Sequence, residues 1–176
     1  MRAIIITAIV LGLVAIPATA GKKPPPAVMH VSTEGKYRAT FPAEPKVDTK
    51  SYATKLGVLP VTTEKHEVSP MALILSVTYT DYPREAGTIT AKAILDSVRD
   101  GLKGKDGEVK TDDAITIGEA KHDGRELRIT IGKDKVIRAR VYLVGRRLYQ
   151  VMAVGTITTV ARPEADVLFN TFTLSE

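Results

Sequence analysis

The chain has 176 residues, enough for about one domain, and 25 basic against 20 acidic residues give it a net charge of +5. It contains no cysteine, which excludes a disulfide-stapled scaffold, zinc-thiolate and iron-sulfur chemistry, and an acylated cysteine anchor. The charge excess is too mild and too scattered for a nucleic-acid reader, so no nucleic-acid partner is expected.

The first twenty residues, "MRAIIITAIVLGLVAIPATA", set Arg2 ahead of an apolar run from Ala3 to Ile16, followed by Pro17 and the small residues Ala18, Thr19 and Ala20. This is the pattern of a secretory signal cleaved after Ala20, and the run is shorter than the roughly 20 apolar residues that a bilayer anchor needs. A secreted or periplasmic protein without stable membrane insertion after cleavage is expected. Its mature form has 24 basic and 20 acidic residues, because only Arg2 is lost. Residues 21–29, "GKKPPPAVM", form a proline-rich extended leader, and residues 30–176 form a single domain.

From Val31 the hydrophobic period is two. Tyr37, Ala39 and Phe41 alternate with Arg38 and Thr40 until Pro42 ends the strand. Two strands flank Gly57, one over Tyr52 to Leu56 and the next over Val58 to Val68, and a further one points Leu73, Leu75, Val77 and Tyr79 to one side. The period then changes: Ala91, Ile94, Leu95, Val98 and Leu102 fall within about 100° of one helical face. Thr88 or Thr90 can cap that helix and Gly101 or Gly104 can end it. Four strands follow, Val109 to Ile117, Arg125 to Ile131, Lys135 to Val144 and Arg147 to Val154. Turn residues at Asp123-Gly124, Gly132-Lys133-Asp134 and Gly145-Arg146 link them as an antiparallel meander. Pro163 opens a last helix with Ala165, Leu168, Phe169 and Phe172 on one face. Two one-faced helices imply one sheet that each of them covers on one side.

The segments "EGKYRATFPAEPK", "DYP", "GRELRI", "RARVYLVGRRLYQVMAVG" and "ADVLFNTFTL", which together span most of the mature chain, resemble the PsbP-like family of extrinsic photosystem proteins, a eukaryotic Ran-binding relative and many secreted bacterial domains. The resemblance implies an α+β fold, a three-layer α-β-α sandwich with a central antiparallel sheet. It implies no enzyme and no cofactor, and a binding or assembly module whose partner is a protein or another envelope component. No residue set here carries over as a manganese, calcium or Ran site.

Direct reading of the residues finds no reaction centre either. His30, His66 and His122 are isolated in sequence, without the local spacing of a metal site, and read as surface or turn residues. There is no Gly-x-Ser-x-Gly elbow, and the Gly-Lys pairs at Gly104 and Gly132 lack the frame of a phosphate loop. Asp112 and Asp113 are strand neighbours that point to opposite faces, so they cannot share a proton.

One stretch stands out. In "KVIRARVYLVGRRLYQVMAVG" Ile137, Ala139, Val141 and Leu143 make one face apolar, while Arg138, Arg140 and Tyr142 occupy the other, with Arg128 beside them on the preceding strand. As structural residues, the arginines lay their stems on the sheet and reach carboxylates such as Glu126. As a site, Arg128, Arg138, Arg140 and Tyr142 form the floor of a shallow anion or partner pocket. The functional expectation is an exported non-enzymatic binding or assembly module of the bacterial cell envelope; the alternative is an anion-binding or hydrolytic domain using the basic face.

Overall fold

The computed structural model describes residues 27–54, 57–68, 70 and 72–175. The expected signal segment, most of the proline-rich leader and the end of the strand expected to reach Leu56 lie outside the described residues. Ten strands and two α-helices follow in the order β1 (Val28–Ser32), β2 (Tyr37–Phe41), β3 (Lys46–Thr54), β4 (Gly57–Val68), β5 (Leu73–Asp81), α1 (Ala91–Lys103), β6 (Gly107–Ile117), β7 (His122–Ile131), β8 (Lys135–Val144), β9 (Arg147–Thr156), α2 (Pro163–Thr171) and β10 (Thr173–Leu174). Among the described residues no helix is long and apolar enough to cross a membrane. The class is α+β, and every strand pairing is antiparallel.

The strands form two sheets where the sequence suggested one. Seven run in the order β3-β4-β5-β9-β8-β7-β6, while β1, β2 and β10 make a separate three-stranded sheet. Helix dimensions give the reason. A seven-stranded sheet is about 29 Å wide at ~4.8 Å per strand, and the nine residues of α2 span only about 14 Å. The small sheet and α2 therefore share one face: Tyr37, Ala39 and Phe41 of β2 join Ala165, Leu168, Phe169 and Phe172 over Leu73, Leu75, Val77 and Tyr79 of β5. Helix α1 covers the other face, with Ile94 and Leu95 against Leu127, Ile129, Ile137, Ala139 and Val141.

The caps and turns explain where the elements stop. Thr90 accepts the Ala93 N–H at the start of α1, and Gly104, at φ 61°, ends it in a conformation that favours glycine. The expected turn at Asp123-Gly124 is displaced: β6 and β7 are joined through Gly118 to Lys121, and Gly124 lies inside β7. Its role is close approach, since a Cβ there would sit 2.4 Å from Tyr142 Cδ1 and 2.6 Å from the Val141 carbonyl oxygen.

Strand β3 also begins earlier than its apolar residues suggest, because its first half is polar. It is an edge strand with all nine residues exposed. Its hairpin partner β4 pairs with β5 only from Thr62 onward, so Gly57 to Val61 form part of an arm that extends past the sheet. Pro60, which has no N–H for a ladder, sits in this arm and accepts the Thr80 hydroxyl at its carbonyl, 2.7 Å away.

Candidate functional site

Strand alternation places Arg138, Arg140 and Tyr142 on the face beneath α2, and the helix occupies the space above them. Arg138 donates to Asp166 at 2.5 Å, and Arg140 donates to Glu126 at 3.1 Å and to the Phe169 carbonyl at 3.0 Å. Both guanidinium groups lie over the Phe169 ring, at 4.5 and 5.4 Å from its centre. Tyr142 is buried, stacks on Phe172 with centroids 6.0 Å apart, and has its phenol raised by that burial. Arg128 stands opposite Arg138 in the β7-β8 ladder, and among the described residues its side chain forms no hydrogen bond or ion pair. The four residues are thus neighbours on one face, but two cations are committed to α2 and Glu126, and the tyrosine is sealed in the core.

This geometry makes a specific prediction for Arg138→Ala/Arg140→Ala. Three ion pairs, two contacts with the Phe169 ring and a hydrogen bond to a carbonyl are lost, which together should cost about 2–3 kcal/mol. Urea denaturation would show the loss, and an unchanged midpoint would contradict the anchoring role.

A second cluster, not legible from sequence spacing, lies between β1, β2 and β4. Glu64 of β4 is only 3% exposed and accepts the Ser32 hydroxyl at 2.6 Å, the Tyr37 phenol at 2.6 Å and the His30 Nε2–H. Nδ1 of His30 reaches Glu44 at 2.8 Å. Ser32 also accepts the Gly35 N–H at 3.0 Å, and a Cβ on Gly35 would stand 2.5 Å from that same hydroxyl. The Tyr37 phenol is held far above its ordinary range, by burial first and then by Glu64. His30 is therefore not the surface residue that its isolation in sequence suggested: it is half-buried between two carboxylates.

The remaining charges are arranged as clamps. Arg147 holds Asp81 through bonds of 2.7 and 2.6 Å and the Glu34 carbonyl at 2.7 Å, fastening the β1-β2 turn to the large sheet. These bonds hold the Asp81 carboxyl below its usual range. Arg125 donates to Asp112 at 2.7 Å and to Asp96 at 2.5 Å, and Arg99 adds a bond to Asp112 at 3.1 Å. Burial opposes the Asp112 charge, yet the two arginines overcome it and keep its carboxyl low. A cleft of about 480 Å³ beside this cluster, lined by Lys92, Leu95, Asp112, Ile115, Asp123 and Arg125, thus has walls whose charges are largely paired. Among the described residues no three histidine or carboxylate side chains are grouped to hold a metal ion.

No family model matches this sequence, and no curated protein matches it. A solved structure does: the solution structure of cyanobacterial PsbP (CyanoP) from Synechocystis sp. PCC 6803 superposes with a TM-score of 0.54 over 89% of this chain and 97% of that one, at 16% identity. The fold is PsbP-like. At that identity the likeness concerns the backbone alone; in this chain "YRATF" is β2, "RARVYLV" lies in β8 and "ADVLFNTFTL" covers most of α2 and all of β10.

Proposed function

We propose that this chain is an exported, non-enzymatic PsbP-like module of the bacterial cell envelope, a three-layer sandwich that binds a partner chain along its β3-β4 edge. One observation carries the reading. All nine residues of β3 are exposed at a sheet edge, and Val47, Tyr52 and Val58 present apolar side chains there. An open edge is a template for strand addition, in which the main chain supplies affinity and alternate side chains supply specificity. The signal-like N-terminus supports export, and the PsbP-like fold supports a binding rather than a chemical role.

The test places a photo-crosslinking side chain at Val47 or at Val31. These are 61% and 60% exposed, so they differ in location and not in accessibility. A discrete adduct from position 47 alone, recovered from the envelope of the producing cell, is expected. Equal labelling at both positions, or none at 47, would defeat the edge reading.

A second reading, anion binding or hydrolysis on the basic face, draws on the unpaired state of Arg128 among the described residues. Affinity for phosphate or heparin that falls steeply with salt and vanishes in Arg138→Ala/Arg140→Ala would carry it.

A further inference from the structure

We infer that the partner taken up by the β3 edge is a second copy of this chain, paired antiparallel with β3 about a two-fold axis through Thr49. This rests on the edge reading above and adds the identity of the occupant.

The inference comes from the order of charges along the strand. Lys46, Asp48, Lys50 and Tyr52 alternate with Val47, Thr49 and Ser51, so the first four share one face of the sheet. When two copies continue one sheet across a two-fold axis, directly opposite residues lie on the same face, which restricts the axis to passing through a residue. Centred on Thr49, the pairing sets each Asp48 against Lys50 of the second copy and each Lys46 against its Tyr52. Val47 then meets Ser51, and Thr49 meets Thr49. Every acid has a cation opposite, every remaining cation has an aromatic ring, and the central threonines can hydrogen-bond.

Other registers with a comparable overlap of the strand do worse. Centring on Lys50 brings two lysines together; centring on Asp48 opposes two aspartates and sets each Lys46 against Lys50; centring on Ser51 leaves Asp48 without a cation. Like charges directly opposite are unfavourable. Lysines on an edge ordinarily repel indiscriminate strand addition. Here Lys50 already sits 3.1 Å from Asp48 of its own strand, and the Thr49-centred register extends that pair into a ladder of four alternating charges.

The experiment is sedimentation equilibrium of the purified exported protein and of three charge variants. Asp48 and Lys50 have side chains 53% and 65% exposed, so the substitutions leave the core untouched. The wild type should rise towards twice the monomer mass with concentration. Asp48→Lys and Lys50→Asp should each weaken association by about tenfold or more, because each places like charges opposite one another. An equimolar mixture of these two variants should recover the doubled mass, since each copy supplies the charge the other lacks, and so should the double variant D48K/K50D. A wild type that stays monomeric, a single variant that still dimerises, or a mixture that fails to associate would overturn the inference. The crosslinker at Val47 separates the two claims: an adduct with a foreign mass and a monomeric wild type leaves the edge reading standing without self-pairing, while no adduct removes both.

Discussion

Glu64→Ala should destabilise the fold by about 3–5 kcal/mol, the range found when one member of a buried charged group is removed and its partners stay behind. The Ser32 hydroxyl, the Tyr37 phenol and the His30 ring all direct a hydrogen bond at Glu64. Each donor left in the interior without a partner carries a desolvation penalty of about 1–3 kcal/mol. Glu64→Gln is the informative control. It preserves shape, but half of its head group donates where the carboxylate only accepted, so it should fall between wild type and alanine. Urea denaturation of both variants, with Tyr37→Phe and Glu64→Ala/Tyr37→Phe to complete a cycle, would measure the coupling between Tyr37 and Glu64. A change below about 1 kcal/mol in Glu64→Ala would show that water replaces the carboxylate and that the cluster is not structural.

Phe172→Ala should cost a similar amount, about 3–5 kcal/mol for truncating a buried aromatic ring. Phe172 is 6% exposed and touches three tyrosines, with centroids 5.3 Å from Tyr37, 5.7 Å from Tyr149 and 6.0 Å from Tyr142. It therefore joins the small sheet, the large sheet and the end of α2 at one point. The loss should also have a local signature. Amides of α2 and β10 should lose hydrogen-exchange protection before those of β7 and β8, which pack under α1 on the opposite face. Uniform loss of protection across both faces would contradict this account.

Much of the architecture was legible because period-two alternation reports which side of a strand is buried. Leu73, Leu75, Val77 and Tyr79 lie on one face as their spacing indicates, and the stripes of α1 and α2 meet opposite sides of the large sheet. Alternation does not say which strands are neighbours. Nothing local separates β2 from the large sheet, so its membership in a second sheet could not be read from "YRATF". The arginine face shows the same limit: Glu126 lies two residues from Arg128 and fits a cross-strand partner, whereas Asp166 and Phe169 reach Arg138 and Arg140 from a helix distant in sequence. Glu64 was the least visible residue. In "TTEKHEV" it stands among polar neighbours, and its burial comes from strands that precede it by some thirty positions.

Among the described residues, the first and last strands meet at β2, which pairs with β1 on one side and β10 on the other. The wall over Leu73, Leu75 and Val77 thus takes contributions from segments far apart in sequence, with Arg38 bonded to Thr173 across 135 positions and Thr40 to Thr171 across 131. That half of the interior is closed by pairing between distant segments and not by a local hairpin, so its closure waits on loop-closure entropy that the hairpins of the large sheet do not face.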